Sequence, residues 1–167
     1  YNGYLDALGG VTIRPGEVLA KGAVGTVYGL YYWPDKNTII SVEGFQVFQY
    51  SVVGTTLLTV NGGQSLSFIP TTPIIFCNNT DVVVMAGGGK INYISTTGVV
   101  TAVADVDAPI TCSHVIYIDG YIIGIDGTNR FFWCEANDLT NWQSLSFASA
   151  EGNPDFIQAV YVVQRQI

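Results

Sequence analysis

Charge is what this chain has least of. Only 11% of its 167 residues are Asp, Glu, Lys or Arg, against about 25% in an ordinary soluble domain. The six cations, Arg14, Lys21, Lys36, Lys90, Arg130 and Arg165, stand singly in a chain of net charge −7. No basic patch can therefore neutralise several phosphates, and reading of DNA sequence is not expected. Long apolar runs are missing as well. They reach about four to seven residues before Gly, Asn or Asp interrupts, against roughly 20 for a membrane-crossing helix. Strands of about five to seven residues are also shorter than a membrane barrel requires. No charged segment followed by an apolar run opens the chain, so no secretory signal is visible.

Histidine and cysteine are equally scarce. His114 is the one imidazole, and Cys77, Cys112 and Cys134 have no C-x-x-C spacing and leave an odd thiol under any disulfide scheme. Reduced, buried thiols are the reading, which favours a reducing compartment. Strand alternation through Thr111–Ile118 puts Cys112 and His114 on one face, the arrangement of a Cys–His dyad or a metal pair. One His and one Cys supply neither a closed metal site nor an orienting third group, so a structural histidine is expected.

Aromatic and β-branched residues are abundant instead. Hydrophobic residues make up 49% and aromatics 13%, a composition incompatible with disorder. Residues 1–24, rich in Gly and Pro, read as an extended lead-in with a short strand near Val11–Ile13. From residue 25 onward a pattern begins: Val27–Trp33, Thr38–Val42, Phe45–Tyr50 and Thr56–Val60 are strand-forming runs separated by turn residues, the last ending at Asn61-Gly62-Gly63. It returns as Ile74–Cys77, Val82–Ala86, Lys90–Ile94 and Val99–Val103, and again as Thr111–Ile118, Tyr121–Ile125 and Asn129–Glu135.

Aligning the turn between the second and third strands of each round brings Gly44, Gly88 and Gly127 into register, at intervals of about 44 and 39 residues, the period of propeller blades. A β-sandwich also has short strands at regular spacing, but not this recurrence of turn glycines. The fold expected is all-β, a β-propeller with about three four-stranded blades and the start of a fourth. The blades span 25–63, 74–103 and 111–148, within a partial propeller of residues 25–167. The next blade starts at 156, where Phe156–Val163 reads as a strand needing partners. Because propellers have about four to eight blades, the chain reads as a segment whose ring is completed elsewhere. Helix is confined to a single turn within Glu135–Trp142, capped by Asn137 or Asp138.

The remaining motifs read as turns. Asp119 and Asp126 each precede a glycine, where the carboxylate bonds its own backbone, rather than forming the facing pair of a glycosidase. Asp105-Val106-Asp107 lacks the further oxygen ligands of a calcium loop. Gly87-Gly88-Gly89-Lys90 lacks phosphate-loop spacing and a following helix. Asn78-Asn79-Thr80 is a glycosylation sequon of little weight without a secretory signal. No catalytic, metal-binding or cofactor-binding residues emerge, and no enzyme activity is expected.

The stretch Tyr121–Trp142, with Trp133, Asn137, Asp138 and Trp142, followed by Leu145–Asp155, with Phe147, Glu151, Gly152, Pro154 and Asp155, resembles the packaged-DNA stabilisation or tail hub (nozzle) proteins of short-tailed phages. In that family an aromatic strand leads into an Asn-Asp turn, a Trp, and then a loop similar to Phe-Ala-x-Ala-Glu-Gly-x-Pro-Asp. Val27–Tyr32 and Ile39–Val42 fit its first blade in order. The resemblance implies a structural virion protein, assembled in the host cytoplasm, that closes the connector after packaging and stabilises packaged DNA. It further implies a homo-oligomeric ring, contacts with other tail proteins (connector or adaptor, spike or fibre, needle), DNA passing through the lumen without sequence-specific binding, and no membrane anchor. In the blade reading Trp133 and Trp142 are amphipathic wedges where adjacent sheets meet. The alternative is a glycan-binding or sialidase-like propeller module, which would need convergent Arg or acidic residues at the propeller centre.

Overall fold

The computed structural model describes residues 3–5, 11–13, 25–53, 56–79, 81–150 and 155–163. Within the lead-in, β1 (Gly3–Leu5) pairs antiparallel with β2 (Val11–Ile13), so a hairpin pair stands where a single strand was expected.

Three four-stranded antiparallel meanders follow. The first sheet is β3 (Val27–Trp33), β4 (Thr38–Glu43), β5 (Gln46–Val53) and β6 (Thr56–Ser65). The second is β7 (Ile75–Asn78), β8 (Val83–Ala86), β9 (Asn92–Ile94) and β10 (Val100–Ala102). The third is β11 (His114–Ile118), β12 (Tyr121–Ile125), β13 (Arg130–Glu135) and β14 (Asp138–Ser149). In each sheet the strands lie in chain order, as short turns between consecutive β-forming runs dictate. The turn glycines Gly44, Gly88 and Gly127 all have positive φ, at 62°, 92° and 80°. The fold is that of an all-β propeller segment.

The sheets stack face on face. Trp33, Ile40, Val42 and Val47 of the first sheet meet Val83, Met85 and Ile94 of the second. The other face of the second sheet, Val84, Ala86 and Ile91, meets Val115, Ile122, Cys134 and Trp142 of the third. Successive residues of a strand point to opposite faces, so β8 divides itself between two cores. All four of its side chains are fully buried. The uninterrupted apolar run there is what a strand covered on both faces requires. The first strands of the sheets lie side by side, β7 packing against both β3 and β11. Tyr31 of β3 stacks on Phe76 of β7 with centroids 5.1 Å apart, and its hydroxyl bonds the Asn78 amide oxygen.

Several expectations need correction. Asn61-Gly62-Gly63 does not end the fourth strand; β6 runs on to Ser65, with register shifts between Val47 and Tyr50 on its partner absorbing extra residues. Glu135–Trp142 holds no helical turn. Asn137 takes a left-handed backbone, φ 60°, which closes a tight hairpin between β13 and β14 and cannot open a right-handed helix. Beyond it Phe147–Ser149, the opening of the expected loop, is strand, the outer part of β14. The helix that does occur among the described residues is a 3₁₀ turn at Pro34–Lys36, where proline presets φ at the first position. Phe156–Val163 carries no strand. An isolated strand has no ladder to satisfy its backbone, and the segment is held by a bond from Ile157 N–H to the Thr128 carbonyl (2.8 Å).

Candidate functional site: the seams between successive sheets

The polar groups that join successive sheets lie where the sheets meet. Two hydrogen bonds fasten the second sheet to the third: Gly88 N–H to the Cys112 carbonyl and Cys112 N–H to the Gly89 carbonyl, both 2.8 Å. This places the second-to-third-strand turn of one sheet against the chain leading into the first strand of the next. A Cβ on Gly89 would stand 2.3 Å from the Phe68 ring, so the turn must be bare there. The bond from Ile157 to Thr128 repeats the pattern: Thr128 follows Gly127 as Gly89 follows Gly88, and Ile157 stands where Cys112 does.

The seam between the first and second sheets is polar at its outer end. Gln49 and Gln64 both donate to the Gly98 carbonyl, at 2.7 and 3.0 Å, and Gln64 accepts from Val100 N–H at 2.7 Å. Asn92, 1% exposed, bonds Ser67 through both its amide oxygen and nitrogen and donates to the Lys90 carbonyl.

In the seam between the second and third sheets, Trp142 is 2% exposed. Its indole N–H donates to the Leu139 carbonyl at 2.8 Å, and its backbone N–H to Asp105 at 3.0 Å. Asp105 also accepts from Asp107 N–H (2.9 Å), and these backbone donors hold its carboxyl below the ordinary value. The Asp-x-Asp motif thus ties an inter-sheet loop to β14. Sequence reasoning missed that role, although the two-residue spacing is the mark of an Asx turn.

The other singled-out residues spread over the third sheet. Trp133 is half-buried on the face turned away from the second sheet, its ring 5.9 Å from that of Phe131, and it shares a shallow depression of about 260 Å³ with Tyr121 and Ile123. Asn137 N–H bonds the Gly120 carbonyl at 2.8 Å, joining two neighbouring turns. Asp138 accepts the backbone and hydroxyl of Thr140, at 3.0 and 2.7 Å. Phe147 lies 5.9 Å from Phe132, with the Arg130 guanidinium over both rings. Asp155 is exposed, and Glu151, Gly152 and Pro154 lie outside the described residues. The structure therefore gathers Trp142 and Asp105 but does not bring the motif together as one site.

Most of the groups considered for chemistry are engaged in turns or buried in the sheet packing. The Cys112 thiol is fully buried, donates to the backbone carbonyl of His114 rather than its ring (3.2 Å), and burial pushes it up to about 12. Burial likewise raises Cys77 to about 12 and raises Cys134, which accepts from Ile122 N–H. Such thiols are not nucleophiles at neutral pH. Burial also holds the His114 imidazole below its ordinary value of 6.5. Its Nδ1 is buried with no hydrogen-bond partner. Asp126 accepts from Thr128 and pairs with Arg130 at 3.1 Å. Asp119 and Gly120 both take positive φ, the mark of a type I′ hairpin. Asn79 of the sequon accepts the backbone N–H groups of Asp81 and Val82.

Where the chain leads into the first strands, a cavity of about 350 Å³ opens between Pro73, Ile75, Ser113, His114, Ile157 and Gln158. Its lining carries no Arg, Asp or Glu. Among the described residues no group of three His, Cys, Asp or Glu side chains could hold a metal ion, and no helix is long and apolar enough to cross a membrane.

The repeating meanders and seams agree with the comparison by sequence. The family model described as bacteriophage P22 Gp10, beta-propeller, matches residues 36–167. The chain belongs to this phage stabilisation family. Family membership makes it a phage structural protein of propeller fold, and the matched region takes in the whole of the second and third sheets. None of the curated proteins compared with it matches. Among solved structures it is similar to the WD40 beta propeller domain of Doa1, at 15% identity and a TM-score of 0.47, with 71% of this chain covered. The chain spans 40% of that structure's length.

Proposed function

We propose that this member of the phage stabilisation family is a hub or nozzle component of a phage tail, one that closes the connector after packaging and stabilises the packaged DNA. The observation that carries the reading is the family match over 36–167. Its working parts are surfaces. The far face of the third sheet, with Tyr121, Ile123 and Trp133, is apolar, and the bond from Ile157 N–H to the Thr128 carbonyl, which matches that from Cys112 to Gly89, supports reading 155–163 as a lead into another sheet. We accordingly read residues 1–24 as a lead-in, 25–63, 74–103 and 111–148 as blades, and 156 onward as the next blade. A ring of copies on the tail axis offers attachment to connector or adaptor, spike or fibre, and needle, and its net negative charge lets DNA slide through the lumen unbound.

The test is electron microscopy of intact particles carrying or lacking this protein. The reading expects a ring between connector and spikes, and loss of packaged DNA from particles without it. Full retention of DNA, or a free monomer with bound sugar, overturns it. A neutral or basic lumen potential in the assembled ring would sink the sliding argument alone.

A further inference from the structure

Two Asp-Gly pairs close turns of the third sheet, Asp119-Gly120 between β11 and β12 and Asp126-Gly127 between β12 and β13. The fold treats their carboxylates differently. At Asp126, Oδ1 accepts the backbone N–H and the hydroxyl of Thr128, and Oδ2 pairs with Arg130 at 3.1 Å. Asp119 is exposed, and its carboxylate makes no hydrogen bond or ion pair among the described residues.

An aspartyl side chain carries its carboxyl carbon within reach of the next residue's backbone nitrogen, with which it can close a five-membered ring. Glycine in that next position, lacking Cβ, leaves the nitrogen open to approach. At Asp119 neither reacting group is held back. The loop closes on the Ile118–Tyr121 pair, so the Gly120 N–H lies outside the ladder, and it is the Gly120 carbonyl that bonds Asn137.

We propose that Asp119 is a site of spontaneous covalent modification, converting to isoaspartate in the folded protein while Asp126 is protected. The Gly120 nitrogen attacks Cγ of the protonated Asp119 carboxyl. The N–Cγ bond forms, the amide proton and the carboxyl hydroxyl leave as water, and a succinimide results. Water then adds to one of its two carbonyls. Breaking the N–Cγ bond restores aspartate; breaking the bond from nitrogen to the main-chain carbonyl carbon leaves the chain running through Cγ, as isoaspartate. Water is released and taken up again, so the net change is an isomerisation that needs no oxidant.

The backbone of a two-residue loop thereby gains a methylene, and loop length fixes the register of a hairpin. The Asn137 N–H to Gly120 carbonyl bond, 2.8 Å, which joins this turn to the β13–β14 turn, is the contact closest to that change. The site is independent of the tail-hub reading, because it rests on one turn within a single chain.

The native protein and a sample in denaturant are held side by side at mildly acidic pH and body temperature. Chymotryptic peptides carrying Asp119 and Asp126 are separated from their isoaspartyl forms, which have the same mass, and methyl transfer from labelled S-adenosylmethionine by an isoaspartyl methyltransferase identifies the product in each. In denaturant the two Asp-Gly pairs should isomerise at similar rates. In the native protein isoaspartate should accumulate at Asp119 about 10-fold or more faster than at Asp126, whose charge-assisted bonds must break first. Arg130→Gln should raise the native rate at Asp126 and leave that at Asp119 unchanged; Arg130 is exposed, and the first comparison needs no variant. A native rate at Asp119 equal to or below that at Asp126, a silent Asp119 in the native protein while the denatured sample reacts, or an Asp126 rate unmoved in Arg130→Gln overturns the proposal.

Discussion

The carboxylate of Asp105 accepts the backbone N–H of Trp142 at 3.0 Å, across 37 positions of sequence. The bond lies beside a register irregularity of the β13–β14 pair, where the ladder leaves donors that another group must satisfy. Backbone hydrogen bonds hold the Asp105 carboxyl below its unfolded value of 3.8. A depressed folded pKa contributes stability that is fully present above the unfolded value and is lost as pH falls through the folded one. Melting temperature should therefore fall on acidification below about pH 4, and Asp105→Asn should lower it at neutral pH and flatten that acid limb. Parallel acid limbs for the two proteins would remove Asp105 from this role.

Two glycines test two different constraints. A methyl at Gly89 meets the Phe68 ring at 2.3 Å, so Gly89→Ala should cost about 1–3 kcal/mol as overpacking. At Gly127 nothing stands within 4 Å, but φ is +80°, and Gly127→Ala should cost about 1–2 kcal/mol through backbone strain alone. Relieving the clash with Phe68→Ala should recover part of the loss in Gly89→Ala and none in Gly127→Ala. Urea melts of the single and double variants measure this.

Met85 is fully buried on the β8 face that meets the first sheet. Met85→Ala should destabilise by about 2–5 kcal/mol, the range for emptying a core position of that size. Hydrogen exchange should register the loosening at the seam between the first and second sheets more than at the second-to-third seam.

The thiols should be silent in the folded state. With Cys112 and Cys134 buried and Cys112 raised to about 12, alkylation at pH 8 should label neither until denaturant is added, when all three cysteines of the chain react. Rapid labelling of Cys112 in the native protein would contradict the packing described for that seam.

Much of the fold is legible in the sequence because local rules govern it. Gly44, Gly88 and Gly127 mark their turns since positive φ suits glycine, and the runs between them are strands because β-branched and aromatic residues fit a pleated, half-buried surface. The outer strand β14 escaped notice: Asp138–Ser149 exposes mostly polar residues and lacks an apolar run, and Asn137-Asp138 imitates a helix cap. Asn61-Gly62-Gly63 looked like an end because a bulge is defined by the partner strand, which local sequence does not contain.

The amino-acid sequence by itself determined the all-β class, the period near 40 residues and the strands' order, all of which follow from residue type and spacing. Only the tertiary structure decided which side chains meet: Asp105 with Trp142, Gly89 with Phe68, Cys112 with the His114 carbonyl, and Trp33 with no acceptor at all. Those pairings join residues tens of positions apart, and their energies depend on distance, direction and burial once sheets have stacked. Scarcity of charge takes its meaning from the same stacking: strands such as β8, covered on both faces, have no place to solvate an ion.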